Sequence, residues 1–422
     1  MSATGAPSAH GGGPASWAGV EAGLRYTAGV TDIDWLARAQ GLAARFAERA
    51  TKHDREGSFP FENFDDLREA GILGLTVPAR FGGAEASLST FLRVQETLAA
   101  GDGSTALALN MHLIRFGPER ESPTYPAEWF ERMCRGAVEH GWLANTAATE
   151  EGLGSPAGGG APETRAEQVE GGWVLTGRKT FTTMAPALHF FIVMAQIPQP
   201  AGEKPLLANF VVYRDDPGVR IEETWDSLGM RATGSHDLVL EEVRLPAERF
   251  LNQRKAGGPD ARGAAGLVWF ALGVAATTIG VAQAARDYAV GFARERTPND
   301  QRTIKDYPGV RTRIARIDLL LQRSRAMVYD AASAWERGES QGMAPINRVA
   351  AAKVDTLNNC IEAVDLAMRV VGGVSLQKRR PIERYYRDVR AALHNPPLED
   401  RALEMLARAA LDEPAEPPKG VE

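Results

Sequence analysis

The sequence predicts an α+β chain in three parts: a helical amino-terminal domain, a central β-barrel or β-sandwich domain, and a carboxyl-terminal helical bundle. Three observations lead there. On the amino side, apolar residues recur at intervals of three and four. Residues 141–246 instead carry short β-type runs bounded by Gly, Pro and Asp. In the last third the three-and-four spacing returns, in rows long enough for helices to pack side by side.

Residues 1–30 are rich in Ala, Gly, Ser and Pro and are expected to form a disordered tail. They lack the basic region and apolar core of a secretory signal. The helical domain is expected over residues 31–140. Thr31 or Asp32 is suited to cap its first helix, with Ile33, Leu36, Ala37, Ala43 and Phe46 at helical spacing. Residues 61–69, 88–98 and 128–138 read as further helices. The β-domain, residues 141–246, includes Phe190-Phe-Ile-Val-Met-Ala195, Ala208-Asn-Phe-Val-Val-Tyr213 and Leu238-Val-Leu240, and Pro246 is read as its end. A glycine-rich linker at 257–263 leads into a bundle over 260–411, and residues 412–422 form a second tail. The bundle rows are Leu267, Phe270, Val274, Thr277, Val281, Ala284 and Tyr288, then Val310, Ile314, Ile317 and Leu321, then Val354, Leu357, Ile361, Val364, Met368 and Val371.

A net charge of −6, with both signs interspersed, lacks the basic face that nucleic acid requires. No apolar run is read as reaching the length of about 18 residues that a membrane span needs, so a cytoplasmic protein is expected. Two cysteines, Cys134 and Cys360, give neither a disulfide framework nor a zinc site, and are read as buried apolar residues in a reducing compartment.

Chemistry concentrates between Trp142 and Met184. A β-type run ends in the loop Thr149-Glu-Glu-Gly-Leu-Gly-Ser155, and the chain returns as Gly177-Arg-Lys-Thr-Phe-Thr-Thr183. Small residues at Gly152 and Gly154 let a ligand approach the main chain. Thr149, Ser155 and Thr183 add hydroxyls, and Phe181 adds a flat apolar face. This suits a large aromatic, phosphate-bearing cofactor. It is no dinucleotide-fold fingerprint, since no βαβ unit surrounds the glycines.

These segments resemble the flavin-binding β-domain of the acyl-CoA dehydrogenase family. So do Phe61-Glu-Asn-Phe-Asp-Asp-Leu through Arg80-Phe-Gly-Gly83, Ser227-Leu-Gly-Met-Arg-Ala-Thr-Gly-Ser235 and Arg387-Asp-Val-Arg390, in the family's order. The resemblance implies that family's fold, with a four-helix carboxyl-terminal bundle, and a bound flavin, FAD, or FMN in a monooxygenase. It implies that Thr149 bonds the flavin pyrimidine edge, Ser155 the pyrophosphate or acyl carbonyl, and Thr183 the ring near its reactive nitrogen, with Gly154 in the loop. Phe181 stands where the family has tryptophan. Arg296, Arg369, Gly372 and Gly373 would contact the adenosine diphosphate half of a neighbouring subunit's cofactor, which implies an oligomer, usually a homotetramer. Arg369 and Asn299 depart from the family's glutamine and phenylalanine.

Dehydrogenation of an acyl thioester needs a carboxylate base held in an apolar pocket. The family's two positions for it fall here on Pro396 and Phe270. His394 is the nearest group suited to move a proton at neutral pH, and Glu399 is an alternative that reads equally as a helix-start acid. Leu393-His-Asn-Pro396 also resembles a loop of the flavin monooxygenases with this fold. His112 reads either as a second such histidine or as a satisfied core residue. The expected function is acyl-CoA dehydrogenation with an electron-transfer protein as partner. The alternatives are oxygenation with a flavin reductase as partner, or a non-catalytic partner subunit.

Overall fold

A computed structural model describes residues 31–152, 160–257, 263–338 and 344–412. Six helices come first: α1 (Asp32–Glu56), α2 (Phe61–Glu69), α3 (Leu88–Gly101), α4 (Gly103–Leu113), α5 (Gly117–Glu121) and α6 (Ala127–Glu139). Thr31 caps α1: its hydroxyl accepts the Asp34 N–H while the Asp34 carboxylate accepts the Thr31 N–H at 2.9 Å. The face α1 buries is Trp35, Ala39, Leu42, Phe46 and Ala50. The expected apolar row is corrected here, because Ile33 and Ala37 point to solvent and Trp35 starts the buried stripe instead.

The strands are β1 (Ala144–Ala147), β2 (Arg165–Val169), β3 (Gly172–Thr182), β4 (Phe190–Ile197), β5 (Leu206–Tyr213), β6 (Val219–Glu222), β7 (His236–Pro246) and β8 (Phe250–Lys255). They form one sheet in the order β6-β7-β3-β2-β4-β5-β8, with β1 lying parallel beside the first half of β4. Pro246 ends β7 but not the sheet. A 3-10 turn at Ala247–Arg249 redirects the chain, and β8 pairs with β5. Trp173 of β3 stacks on Phe250 of β8 at 5.7 Å and meets Phe210 of β5 edge-on, so aromatic rings tie the two wings of the sheet together.

The carboxyl part holds α7 (Gly263–Glu295), α8 (Pro308–Glu336), α9 (Ala344–Val371), α10 (Pro381–Asp388) and α11 (Glu399–Leu411). α7, α8 and α9 pack on one another, α11 lies on α9, and α10 touches both α7 and α9. α7 is buried all round: Val268, Leu272, Ala275 and Ile279 are as inaccessible as Val274 and Val281 of the predicted row. The expectation about long apolar runs is corrected at α7. By length and composition it would cross a membrane, yet 78% of its most apolar window lies inside the protein, as a central bundle helix requires. Cys134 and Cys360 are free and buried, and burial pushes the Cys360 thiol up to about 12.

Candidate active site

The chain after β1 and the end of β3 bring three of the predicted residues, Thr149, Phe181 and Thr183, near one another. The Thr180 N–H donates to the Thr149 carbonyl at 2.9 Å, joining the chain after β1 to the end of β3. The pairing of β3 with β7 breaks between Lys179 and Thr182, and in that break Phe181 adopts φ +53°. Met184 and Met230 nearby also have positive φ, a conformation that side chains adopt only where the surroundings impose it. Phe181 is therefore turned outward, 60% exposed, with its ring edge-on to Trp225 at 5.7 Å. Trp225 was not singled out from the sequence. Its only signal there is an aromatic in the polar run Glu222-Glu-Thr-Trp-Asp226.

Thr183 is held from both sides. Its carbonyl accepts from Asn145 Nδ2 at 3.1 Å, and its hydroxyl lies 3.0 Å from Ser235 Oγ. Next to Thr149 in the chain, a buried ion pair joins two motif residues that the sequence left without a role. Lys179 Nζ is 2.6 Å from Glu150 Oε1, and both side chains are buried. Glu150 also accepts from the Glu163 and Thr164 N–H groups and from the Thr164 hydroxyl. Burial pulls the Lys179 ammonium down to about 8, while Glu150 is lowered by Lys179 and the hydrogen bonds against the opposing effect of burial. The pair pins the chain beside Thr149 to β3. Removing one partner of such a pair strands the other charge, at about 3–5 kcal/mol.

The turn between β6 and β7 brings two sequence blocks together. Asp388, at the end of α10, accepts the Met230 N–H at 2.6 Å, and Arg387 donates to the Leu228 carbonyl at 2.9 Å. Arg387 also forks onto Asp54 of α1 at 2.6 Å, and Arg231 donates to the Asp54 carbonyl. Helical domain, sheet and bundle thus meet at one junction. Burial raises the Asp388 carboxyl to about 7, against the lowering effect of Arg384 and the Met230 N–H.

His394 closes a 3-10 turn, Ala391–His394, and its side chain is exposed. The loop after it is clamped by a residue that sequence reasoning missed. Lys353 of α9, 1% exposed, donates to the carbonyls of Asn395 at 2.7 Å and Pro397 at 2.8 Å. A lysine inside the apolar stretch Val349–Val354 was the available signal. Behind the turn, Ala392 packs with Val274, Leu357, Leu107, Met111 and Phe270. Next to this apolar group, Asn110 is fully buried, and neither atom of its amide has a hydrogen-bond partner within the protein. Glu399 begins α11 and accepts from Asn358 at 3.1 Å, the position of a helix-start acid.

His112 is a satisfied core histidine. Nε2 lies 3.0 Å from the Leu73 carbonyl and Nδ1 accepts the Ala144 N–H, so the ring is neutral with its proton on Nε2. Burial pulls its pKa down to about 4. His189 and His236 likewise accept backbone N–H groups, from Leu143 and Trp225. Gly154 and Ser155 lie outside the described residues. Arg296, just past α7, and Arg369, on the last turn of α9, are both exposed. Gly372 has φ +75°, and nothing within 4 Å would meet a side chain at either Gly372 or Gly373, so this surface faces away from its own chain. Among the described residues no acid, histidine or cysteine cluster suited to a metal occurs.

An outward aromatic ring beside Thr149 and Thr183, in a frame of strained backbone, fits one face of a flat polar heterocycle such as flavin.

Comparison with known proteins gives matches to the acyl-CoA dehydrogenase N-terminal domain over residues 37–137, the middle domain over 145–243 and the C-terminal domain over 240–393. The chain is 41% identical to the acyl-CoA dehydrogenase homologue YdbM of Bacillus subtilis, over 90% of this chain and 97% of that one. It is 33% identical to the L-evernosamine nitrososynthase of a Micromonospora species, over 86% of each. Among solved structures, KijD3 in complex with FMN and a dTDP-linked amino sugar superposes with a TM-score of 0.80 at 31% identity, covering 93% of this chain and 97% of that one.

Proposed function

We propose, from the premise that the chain belongs to the acyl-CoA dehydrogenase family, that this flavin-dependent oxidoreductase is a monooxygenase working with reduced flavin. The observation that supports it is the pair of apolar side chains where dehydrogenation needs a carboxylate. Phe270 is part of the apolar group with Val274 and Ala392, and Pro396 lies in the loop clamped by Lys353. Neither takes a proton. The nitrososynthase kinship favours the same reading.

In this reading Phe181 and Trp225 back the flavin ring, and Thr149 and Thr183 fix its polar edge. A reduced flavin held there would supply the two electrons with which dioxygen yields one oxygen atom to substrate and one to water, and a separate flavin reductase would be the source of those electrons. His394, presented by the clamped turn, moves the proton that accompanies oxygen transfer. The apolar group around Phe270 and Ala392 keeps bulk water from the reacting centre. The cofactor is FMN, since Asn299 and Arg369 replace the family's adenosine-side residues, and Arg296, Gly372 and Gly373 face a neighbouring copy in an oligomer.

A second reading, α,β-dehydrogenation of an acyl-CoA, is favoured by the 41% identity to YdbM. Anaerobic mixing with acyl-CoA compounds, and aeration of the reduced protein in a second experiment, separate the two. Acyl-CoA compounds should leave the oxidised flavin yellow. Reduced flavin and air should consume oxygen and oxygenate an amine or aromatic substrate from a panel that includes sugar nucleotides. Bleaching by acyl-CoA would establish the dehydrogenase instead.

A further inference from the structure

A row of hydroxyls runs inward from the proposed flavin face. Thr183 Oγ1 lies 3.0 Å from Ser235 Oγ, which lies 2.7 Å from Thr233 Oγ1, which lies 3.0 Å from the Met230 carbonyl. A hydroxyl has one proton to give, and a carbonyl only accepts. The inner end therefore sets the direction of the row. Thr233 gives its proton to Met230, so it accepts from Ser235. Ser235, having given its proton to Thr233, accepts from Thr183. Thr183 is left with its proton directed into the protein and only lone pairs toward the ligand.

The row is well protected. Thr233 is 1% and Ser235 5% exposed, so water does not compete for these bonds. Its base is fixed as well. Met230 stands at φ +53°, its N–H goes to the buried Asp388, and its carbonyl also accepts from Trp225 Nε1 at 3.1 Å. Trp225 is the residue that braces Phe181, so the aromatic face and the hydroxyl row share one anchor.

We propose that the row Thr183–Ser235–Thr233 makes this site a selector for the reduced, N–H-bearing form of flavin. The inference rests on the reading that places the flavin ring against Phe181. An oxidised isoalloxazine presents a lone pair at N5, the unsubstituted nitrogen of its central ring, which would meet the lone pairs of Thr183. Two-electron reduction adds a proton at the central nitrogen N5, creating the donor that an acceptor-only hydroxyl requires. One hydrogen bond gained, against one lone-pair contact avoided, corresponds to about tenfold in affinity. The site would thus take up flavin that arrives already reduced and release it once oxidised.

The test is anaerobic titration of the full chain with oxidised FMN and with dithionite-reduced FMN, followed by fluorescence and equilibrium dialysis. The native protein should bind reduced FMN about tenfold more tightly. The bound flavin's midpoint potential should then lie about 30 mV above that of free FMN. Ser235→Ala frees the Thr183 proton to point outward, so the preference should shrink to about threefold or less, mainly through tighter binding of oxidised FMN. Ser235→Thr keeps the row and should keep the preference. Equal affinities in the native protein, or an unchanged preference in a folded Ser235→Ala, would overturn the selector while leaving flavin binding intact. If neither redox form binds the native protein, the flavin reading itself falls, and this inference with it.

Discussion

At the residue scale, the proposed function rests on a few side chains whose neighbours explain them. His394 has no acidic orienting partner among the described hydrogen bonds, and the Lys353 clamp on the two carbonyls beyond it sets its position. Replacing His394 by Ala should slow oxygenation at least about tenfold, with flavin still bound, because proton transfer by a positioned group contributes about 10²–10⁴ in rate. Glu399→Gln should change turnover less than about twofold, since that side chain is engaged with Asn358 at the start of α11. Steady-state rates of the two variants check both outcomes, and the reverse ranking would make Glu399 the proton carrier. Thr149, Phe181 and Thr183 could be singled out because hydroxyls and an aromatic at strand ends are visible in a chain of letters, and folding brings them near one another. Thr233, Ser235 and Lys353 were not assigned, because their meaning comes from partners that only folding brings near.

At the element scale, the turn between β6 and β7 holds the site together. Its Gly229 backs onto the Arg387 carbonyl, and a side-chain carbon there would lie 2.5 Å from that oxygen, a backbone atom with nowhere to go. Gly229→Ala should therefore lift the turn from α10 and cost about 1–3 kcal/mol. It should also weaken flavin binding, because Met230 and Thr233 move with the turn. Thermal unfolding and flavin titration read the two effects, and a variant with native values in both would show that the junction is slack. The limits of α2 were readable to the residue, 61–69. α4 gave no periodic row, and only an apolar helix around His112 could be read, because almost all its residues are buried and no polar face interrupts the apolar one. The row in α1 was misplaced for a related reason. Ile33 is apolar enough to join any pattern, and only packing shows that Trp35 is the first residue inside.

For the molecule as a whole, buried titrating groups set how stability follows pH. His112 is neutral in the fold with a pKa of about 4, while an exposed histidine takes a proton near 6.5. Between those values the unfolded chain binds more protons than the folded one. Stability therefore falls as pH drops from about 6.5 to 4, by about 3 kcal/mol from His112 alone. His189, also lowered to about 4, acts in the same direction. Lys179 and Lys353, lowered to about 8, carry a desolvation cost at neutral pH that is relieved as pH rises from about 8 toward 10.5. Urea unfolding of the native chain and of His112→Gln at pH 6.5, 5.5 and 4.5 checks the acid limb. The variant should show a flatter slope, and parallel slopes would remove His112 as the cause. The three-part architecture was legible from periodicity alone. The extra strand β8 was not, because Pro246 reads as a terminator and only the pairing with β5 shows the sheet continuing.

The pairing of β1 with β4 also carries a meaning for how the protein is made. The strand that leads into Thr149 finds its neighbour only when residues 190–193 exist, and Met230 finds the carboxylate of Asp388 only 158 residues further along the chain. On the ribosome, the amino-terminal helices emerge first, while this junction waits for residues 387–388. A nascent chain that stops short of residue 388 therefore lacks the buried carboxylate that fixes Met230.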